Sequence, residues 1–397
     1  MKHGQLVVTD PIGTSTFGVA DSAADAIHIT VRDLAFYRRV AIGGSLGASD
    51  AWIDHLWTTD DLTALLRLCV RNLNTTDGLD RGTTRALTPL RRLGGWIRRN
   101  TISGSRKNIL AHYDLSNDFF GLWLDPTMTY SCGIFEHPEA TMHDASTAKL
   151  DRICRKLGLT SEHHVLETGT GWGSFAIHAA THYGCRVTTT TISDKQYDLA
   201  RQRVREAGLE DRITLLRQDY RTLEGTYDRL VSIEMIEAVG HEFLPTYFEH
   251  CNRLLRPDGS MLLQVITMPD QRYARYRRTM DFIRRDVFPG SNCPSLGAMT
   301  NAWRRTTDFR VGQIEDLTPH YAETLRRWRV EFDNQRPAIR ALGFDDAFMR
   351  LWTWYLCYCE AGFDERYIGT QQILLQRAEN RDAPLLPDRR SLTGVMP

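Results

Sequence analysis

The stretch VLETGTGWGSFAIHAA, residues 165–180, joins an apolar run to a loop with three alternating glycines and then to a helical pattern. Because glycine has no Cβ atom, such a loop turns tightly at the carboxyl end of a strand and lets a ligand approach the backbone. The order of strand, glycine loop and helix therefore predicts the cofactor-binding start of an α/β domain. A tight turn that binds no ligand is the alternative interpretation.

Further apolar segments follow this motif and alternate with helical patterns, as in a parallel sheet whose strands are connected by helices. We predict an α/β fold with a doubly wound, Rossmann-like sheet. Residues 267–295 are longer than a usual strand connection and predict a helical insert that covers the site as a lid. The predicted strands are HVLET (164–168), RVTTTTI (186–192), ITLLRQ (213–218), DRLVSI (228–233) and GSMLLQVITM (259–268).

The first part of the chain has shorter elements, which predict a small α+β domain. Its composition shifts between residues 75 and 107, where Gly, Thr and Arg become frequent and a linker is expected. We therefore place a domain boundary near residue 105, with an N-terminal domain over 1–105 and a catalytic domain over 106–397. The predicted N-terminal elements are strands over 5–10, 26–31 and 35–43 and a helix over 58–73 that begins at a Thr-Thr-Asp-Asp capping sequence.

Composition and charge argue against several classes of protein. Lys plus Arg and Asp plus Glu number 49 each, so global charge favours no nucleic-acid partner. The N-terminus lacks the apolar core of a secretion signal, and no window reaches the roughly 18 uninterrupted apolar residues of a membrane span, so we predict a cytoplasmic protein. The eight cysteines show no paired CxxC spacing, which argues against a zinc site and a disulfide framework.

The glycine spacing distinguishes between two kinds of cofactor. A dinucleotide loop has the pattern G-x-G-x-x-G, but Ser174 occupies the third glycine position, and no carboxylate closes the next strand to bind a ribose hydroxyl. These features disfavour a nicotinamide-dependent oxidoreductase. The spacing E-x-G-x-G-x-G instead resembles the first motif of S-adenosylmethionine-dependent methyltransferases, and Asp219 follows the third predicted strand, where that class often contacts adenine.

Several ordered motifs resemble the cyclopropane-fatty-acyl-phospholipid synthases, and the resemblance extends over residues 105–378. The stretches 4–13 and 43–57 resemble the N-terminal part of the longer members of that family. The resemblance implies a methyltransferase-type sheet for the second domain. The motifs that carry it are AHYDLSNDFFGLWLDPTMTYSCGIF (111–135), VLETGTGWG (165–173), TISDKQ (191–196), LLRQDYR (215–221), IEAVG (236–240) and FPGSNCPS (288–295).

By this resemblance, S-adenosylmethionine donates a methyl group to a cis double bond in an acyl chain of an unsaturated phospholipid. Removal of a proton from the new methyl group then closes a cyclopropane ring, and the family implies a bicarbonate ion as the base. The residues implied to bind the methyl donor are Tyr130, Ser131, Glu167, Gly169, Gly171, Gly173, Thr191, Gln196, Asp219 and Tyr220.

The catalytic residues that the resemblance implies surround this bicarbonate ion. Glu237 matches the glutamate that orients the ion, and the expected donors are Tyr321, the main chain at Ile266 and the backbone or thiol of Cys132. Burial with shared hydrogen bonds tunes the proton affinity of such a site. A carboxylate at a helix start is the alternative for Glu237, and a buried structural thiol is the alternative for Cys132.

Two residues depart from the commonest bacterial pattern: Glu234 stands where glycine is frequent, and Gln264 stands where histidine is frequent. Relatives with these residues include enzymes that leave a methylene or methyl branch, so the product stays open between a ring and a branch. An amide donates hydrogen bonds without titrating, so we expect Gln264 to serve the catalytic pocket and to donate to Glu234. A carboxylate at the cofactor ribose or in a solvated loop is the alternative for Glu234.

Access to a phospholipid implies contact with a membrane. Residues 83–100, TTRALTPLRRLGGWIRRN, combine apolar residues at helical spacing with arginines, as in helices that lie among lipid headgroups. We therefore predict an N-terminal domain that associates with lipid or membrane and peripheral attachment at the inner face of the membrane. A solvated interdomain helix is the alternative, and a noncatalytic lipid-binding relative is the alternative function. A homodimer is a further possibility.

Overall fold

A computed structural model describes residues 1–19, 26–73, 115–383 and 385. The predicted domain boundary near residue 105 and the basic segment 83–100 lie outside the described residues, so both stay predictions. The described part of the chain contains a four-stranded and a seven-stranded sheet, each with helices packed nearby.

The N-terminal part contains strands β1 (Gln5–Thr9), β2 (Thr14–Gly18), β3 (Ala26–Val31) and β4 (Trp57–Thr59) and helices α1 (Ala35–Gly43), α2 (Ser45–Ile53) and α3 (Leu62–Arg71). The strands form one sheet in the order β2-β1-β3-β4, with β1 parallel to β3 and the other neighbours antiparallel. Asp61 caps α3, because its side chain accepts a hydrogen bond of 2.8 Å from the Ala64 N–H. The predicted helix and the first two predicted strands are confirmed.

The prediction of a strand over residues 35–43 is wrong, because these residues form helix α1. Phe36 and Val40 are four residues apart, so they lie on one helical face, and both line an internal cavity. Asp33 accepts a hydrogen bond of 2.8 Å from the Ala35 N–H at the helix start. An apolar pattern over so short a segment fits a helix face as well as a strand.

The second sheet contains β5 (His164–Thr168), β6 (Arg186–Thr190), β7 (Ile213–Leu216), β8 (Tyr227–Ile233), β9 (Leu255–Thr267), β10 (Arg310–Asp316) and β11 (Gly369–Gln376). Its strand order is β10-β11-β9-β8-β5-β6-β7. Strands β5 to β9 pair in parallel, whereas β11 is antiparallel to both β9 and β10. The predicted doubly wound α/β sheet is confirmed, although the sequence patterns did not predict β10 and β11.

The helices of this part follow or precede the strands along the chain. Helix α5 (Met142–Lys156) begins with a capping box in which Thr141 and Asp144 exchange hydrogen bonds. Within the described ranges, no helix combines the length and the apolar character needed to cross a bilayer. The helices are α4 (Asn117–Gly121), α5 (Met142–Lys156), α6 (Ser174–Tyr183), α7 (Asp194–Glu206), α8 (Leu244–Leu254), α9 (Asp270–Tyr276), α10 (Leu296–Thr306), α11 (Thr318–Asn334), α12 (Arg336–Ala341) and α13 (Asp346–Asp364).

The predicted insert at residues 267–295 leaves the sheet at the end of β9. It contains α9 and a π-helical turn at Ile283–Val287, and its two ends meet where the Met268 N–H donates to the Pro294 carbonyl at 3.2 Å. Tyr276 and Phe282 of the insert line the internal cavity. The prediction of a helical insert at the site is therefore confirmed.

Aromatic side chains join the two parts of the chain. Trp52 and Trp57 lie against Trp354 of α13, with ring centroids 6.2 and 6.0 Å from its ring. The Trp52 indole N–H donates to the Arg350 carbonyl at 3.0 Å, and the Arg350 guanidinium stacks on the Trp52 ring at 4.0 Å from its centroid. The N-terminal part and α13 thus share one hydrophobic core.

Trp57→Ala tests this shared core. The Trp57 side chain is 3% exposed, and we expect its removal to lower the free energy of unfolding by about 3–5 kcal/mol, because the surrounding rings fill the vacated volume only in part. Urea denaturation followed by circular dichroism measures the change. Ile12→Ala, at a residue that is 82% exposed, is the control and should unfold at the same urea concentration as the wild type. Equal midpoints for the two variants would contradict the shared core.

Candidate active site

The glycine loop lies between β5 and α6. Gly169, Gly171 and Gly173 have positive φ angles of 99°, 53° and 87°, a region that favours glycine. A Cβ atom on Gly171 would meet no atom within 4 Å, so the backbone borders open space there. A Cβ atom on Gly173 would lie 3.5 Å from the Ala200 side chain of α7, and Gly173 does not line the cavity described below, so its contact with the cofactor stays a prediction.

One cavity of about 1290 Å³ borders this loop and extends into the N-terminal part of the chain. Its apolar lining includes Leu6 of β1, Phe36 of α1 and Leu65 of α3. A ligand with a polar and a long apolar portion fits such a lining. The residues predicted to bind a methyl donor that line this cavity are Tyr130, Ser131, Glu167, Gly169, Gly171, Thr191, Gln196, Asp219 and Tyr220.

Polar side chains follow the carboxyl ends of β6 and β7 at this cavity. The Thr191 hydroxyl donates to Gln196 Oε1 at 3.1 Å, so these two predicted residues do lie together. The two Asp219 oxygens accept hydrogen bonds of 2.7 and 2.6 Å from the Arg221 guanidinium. The sequence analysis did not identify Arg221, which also lines the cavity. Arg221 fixes the Asp219 carboxylate, which keeps acceptor capacity for a ligand.

Lys149 is a buried cation that the sequence analysis missed. Its Nζ donates to Ser131 Oγ at 2.9 Å, and its side chain lines the cavity. Burial lowers the pKa of Lys149 to about 8, although the Glu234 carboxylate opposes this change. The signal in the sequence is the spacing of α5, where Lys149 lies on the same buried face as Ala145 and Ile153. A lysine on such a face is rarely buried unless it has a partner.

Glu167 stands at the end of β5, directly before the loop. Its Oε2 accepts a hydrogen bond of 2.6 Å from the Thr189 hydroxyl, and burial raises the pKa of Glu167 to about 8. Ser131 and Tyr130 approach the same cavity from another segment, and the Tyr130 and Tyr355 hydroxyls lie 2.8 Å apart. The predicted cofactor residues that line the cavity thus come from several separate segments of the chain.

Glu234 follows β8 with a φ angle of 49°, an uncommon left-handed conformation for a residue with a side chain. Its Oε1 accepts hydrogen bonds from the Cys132 N–H at 3.0 Å and from the Gln264 amide at 2.8 Å. Its Oε2 accepts one from the Tyr321 hydroxyl at 2.5 Å. Burial raises the pKa of Glu234, and these hydrogen bonds oppose the rise. The predicted hydrogen bond from Gln264 to Glu234 is confirmed.

A chain of hydrogen bonds fixes the direction of the Gln264 amide. Lys156 Nζ donates to Gln372 Oε1 at 2.8 Å, and Gln372 Nε2 donates to Gln264 Oε1 at 3.0 Å. Because an ammonium group only donates, it sets the orientation of both amides in turn. The Gln264 NH₂ group must therefore point toward Glu234.

Glu237 lies in the turn Ile236–Ala238, next to Glu234. Its Oε1 accepts a hydrogen bond of 2.6 Å from the Ile266 N–H. Its Oε2 is buried and has no hydrogen-bond partner among the described residues, and Glu237 lines the cavity. Burial, together with the negative charge of Glu234, raises the pKa of Glu237 to about 8. This carboxyl group therefore keeps one oxygen for a ligand.

The Cys132 thiol does not face this cluster. Its Sγ donates to the Gly133 carbonyl at 3.2 Å, and the residue is fully buried outside the cavity lining. Burial raises the pKa of the Cys132 thiol well above its usual value, so the thiol stays protonated. Of the two Cys132 donors that the resemblance implied, only the backbone N–H reaches the site.

The bicarbonate ion implied by the resemblance does not fit this arrangement. Its expected donors already bind carboxylates of this chain, so none of them is free to replace the hydration that the ion would lose in a buried site. The bicarbonate base therefore stays a prediction from the resemblance, while the donors expected to hold the ion are occupied in this structure. The occupied donors are the Cys132 N–H, the Tyr321 hydroxyl and the Gln264 amide, which bind Glu234, and the Ile266 N–H, which binds Glu237.

Comparison with known proteins gives consistent matches. Residues 101–373 match the family model of mycolic acid cyclopropane synthetase. The tuberculostearic acid methyltransferase UfaA1 of Mycobacterium tuberculosis is 39% identical over 380 residues, which cover 94% of this chain and 87% of that protein. The cyclopropane-fatty-acyl-phospholipid synthase of Escherichia coli K12 is 32% identical over 366 residues, which cover 91% of each.

A solved structure matches as well. The crystal structure of mycolic acid cyclopropane synthase CmaA1 complexed with SAH and CTAB has a TM-score of 0.65 and 33% sequence identity, and the match covers 68% of this chain and 98% of that one. Its bound SAH is the product that S-adenosylmethionine leaves after methyl transfer. The match supports the prediction of S-adenosylmethionine as the cofactor rather than a nicotinamide cofactor.

Gly171→Val tests the loop as the methyl-donor site. The added side chain would project into the open space beside the backbone, so we expect calorimetry to detect no S-adenosylmethionine binding. Gly158→Val is the matched control, because Gly158 has a similar φ angle of 57° and equally open surroundings but lies outside the cavity lining. The control should keep wild-type affinity. Wild-type affinity in Gly171→Val would reject the assignment.

Proposed function

The chain belongs to the mycolic acid cyclopropane synthetase family of S-adenosylmethionine-dependent methyltransferases, and we propose that it methylates a cis double bond in an acyl chain of an unsaturated phospholipid. Loss of a proton from the transferred group then closes a cyclopropane ring. S-adenosylmethionine supplies the electrophilic methyl group. The glycine loop, Thr191, Gln196 and Asp219 would hold it.

The observation that carries this proposal is that one cavity connects three chemical environments. The first is the glycine loop, the second contains Glu234 and Glu237, and the third is the apolar lining from the N-terminal part. An acyl chain in the apolar portion would bring its double bond to the carboxylates beside the methyl donor. Such an enclosure positions the reacting atoms and keeps water from a carbocation, which would otherwise react with it.

Aromatic side chains of α13 support the same chemistry. Trp354, Tyr355 and Tyr358 line the cavity, where their faces can stabilise positive charge. Trp352 lies outside the lining and packs against Phe119, with ring centroids 5.1 Å apart. The aromatic residues of this helix thus divide between the cavity and the core.

Glu237 is suited to stabilise the cation that methyl transfer creates. Its Oε2 lacks a partner among the described residues and borders the cavity, while the Ile266 N–H holds the other oxygen. A fixed negative charge in a dry site stabilises developing positive charge more strongly than it would in water. We propose that Glu237 acts in its ionised form.

Arginines of the insert support a phospholipid as the substrate. Arg272, Arg275 and Arg278 are exposed and line the same cavity as the apolar residues of the N-terminal part. Guanidinium groups bind phosphate well, so they would hold a headgroup while the acyl chain enters the cavity. We propose peripheral attachment to the inner face of the membrane through these arginines and through the N-terminal domain 1–105.

A branched product is the second candidate. UfaA1, named as a tuberculostearic acid methyltransferase, matches 94% of this chain, and the carboxylate cluster differs from the bicarbonate arrangement that the family implies. Loss of a proton from a neighbouring chain carbon would leave a methyl-branched alkene instead of a ring. A hydride shift to the cation, followed by loss of a proton from the transferred methyl, would leave a methylene branch. Lipid products from unsaturated phospholipid vesicles decide between them: proton NMR shows the upfield ring methylene only for a cyclopropane. No lipid product at all would reject both candidates.

Glu237→Gln tests the role of that carboxylate. The amide keeps the shape but removes the charge, so we expect turnover to fall by at least about 100-fold while S-adenosylmethionine affinity barely changes. Since the pKa of Glu237 is about 8, wild-type kcat/KM should rise with pH through that region, as the carboxyl group loses its proton. The variant should lack the part of this rise that comes from Glu237, whereas any contribution of Glu167 or Lys149, whose pKa values are also about 8, should remain. Turnover near that of the wild type would show that Glu237 has another role.

Replacing Arg272, Arg275 and Arg278 together with glutamine tests the headgroup site. We expect weaker binding to vesicles that contain phosphatidylglycerol and a flatter salt dependence, because three cations near anionic headgroups are lost. Flotation with vesicles at several salt concentrations measures both effects. The matched control replaces Arg201, Arg304 and Arg305, which are exposed but lie outside the cavity lining. Equal binding of the two triple variants would count against the headgroup site.

A further inference from the structure

The Glu234 carboxylate lies where the family resemblance implies a bicarbonate ion. We propose that this side chain replaces the ion, so that the enzyme removes the proton after methyl transfer with a base of its own and needs no bicarbonate. The inference rests on the proposed function, because the proton comes from the methylated acyl chain. Residue 234 is one of the two positions that depart from the commonest bacterial pattern of the family, in which glycine is frequent there.

Two of the donors expected for the ion, the Cys132 N–H and the Tyr321 hydroxyl, bind Glu234 instead. A carboxylate and bicarbonate both present a planar, negatively charged pair of oxygens. Glu234 Oε1 takes the Cys132 N–H and the Gln264 amide, and Oε2 takes the Tyr321 hydroxyl. The donors therefore converge on one carboxylate-sized group, and the chain supplies that group covalently.

The backbone at residue 234 supports a replacement at a position built for glycine. Its φ angle of 49° lies in the left-handed region, which a residue with a Cβ atom enters at a cost. Such a conformation persists where the surroundings hold it in place. Here the Glu234 N–H donates to the Gln264 carbonyl at 2.8 Å, so Gln264 holds both the backbone and the side chain.

The surrounding charges also favour an acceptor at this place. The series of hydrogen bonds from Lys156 through Gln372 to Gln264 orients the Gln264 amide so that its NH₂ group, a donor, faces Glu234. Lys149 lies close enough to favour the ionised form of Glu234. A neutral side chain at residue 234 would leave the two fixed N–H donors of Cys132 and Gln264 without an anion.

The reaction balances with Glu234 as the proton acceptor. The π electrons of the double bond form the new C–C bond to the methyl carbon, while the pair of the S–CH₃ bond stays on sulfur. A C–H bond of the transferred methyl then releases its proton to Glu234 Oε2, and its electron pair forms the third ring bond. Loss of a proton from a neighbouring chain carbon leaves a double bond instead. The products are S-adenosylhomocysteine, the modified lipid and a protonated carboxyl group.

Three enzymes test this replacement: the wild type, Glu234→Gly and Glu234→Gln. Glycine tolerates the positive φ angle and vacates the space for an ion, whereas glutamine fills the space without a charge. Turnover on unsaturated phospholipid vesicles is measured in bicarbonate-free buffer and after addition of bicarbonate. Binding of isotope-labelled bicarbonate in the presence of S-adenosylhomocysteine is measured by carbon NMR, independently of turnover.

We expect the wild type to work equally fast in both buffers and to bind no bicarbonate. Glu234→Gly should lose at least about 100-fold in bicarbonate-free buffer, bind the labelled ion and regain at least tenfold when it is added. Glu234→Gln should be as slow and should not recover. S-adenosylmethionine affinity and melting temperature establish that each variant is folded.

Wild-type turnover that depends on added bicarbonate, or labelled bicarbonate bound to the wild type, would overturn the inference. So would a glycine variant that keeps full turnover without the ion. If the wild type forms no S-adenosylhomocysteine with any unsaturated lipid, the proposed function fails, but the NMR comparison still decides whether Glu234 excludes bicarbonate. Should Glu234→Gly not fold, the bicarbonate response of the wild type and of Glu234→Gln decides the matter.

Discussion

Two acidic side chains, Glu234 and Glu237, stand side by side in a largely buried site, and much of the surrounding structure offsets the cost of placing them there. Removing a carboxylate from water costs several kcal/mol unless donors replace the lost hydration. Glu234 is fully supplied with donors, whereas Glu237 is supplied on one oxygen only. Glu234 is therefore the more stable anion, and Glu237, with one oxygen unpartnered, responds more strongly to a bound ligand.

The fold gathers the required donors from distant parts of the chain. The carboxyl ends of parallel strands meet at one edge of the sheet, which brings the glycine loop after β5 close to the carboxylates after β8. The antiparallel strand β11 lies beside β9 and places Gln372 opposite Gln264 in the register. Helix α11 contributes Tyr321, whose hydroxyl donates to Glu234. No single segment holds the site, so its geometry depends on the whole sheet.

Sequence patterns predicted the features that depend on local order. Periodicity identified the five parallel strands, and the spacing of glycines identified the loop. Chemical reasoning about an amide and a carboxylate predicted the hydrogen bond between Gln264 and Glu234. The failures have a physical basis too: α1 was taken for a strand because a short apolar segment fits both periods.

Long-range partners were not predictable in the same way. Arg221 becomes visible as a site residue only when separate elements pack, whereas the position of Lys149 on the apolar face of α5 indicates burial but not its partner. The role of Gln372 depends on the pairing of β11 with β9, and nothing in the sequence near Gln372 indicates that register. The sequence left the backbone and the thiol of Cys132 as alternative donors, because sequence cannot show which way a side chain points.

The left-handed backbone at residue 234 has a consequence for how such a site arises. A position that admits glycine there can accept glutamate without rebuilding the end of β8, provided that donors already face it. In the genetic code, GGA or GGG becomes a glutamate codon by one base change, and a histidine codon likewise becomes a glutamine codon by one. Both departures from the family pattern are thus single-nucleotide steps, and the first would free the chemistry from the supply of dissolved carbon dioxide.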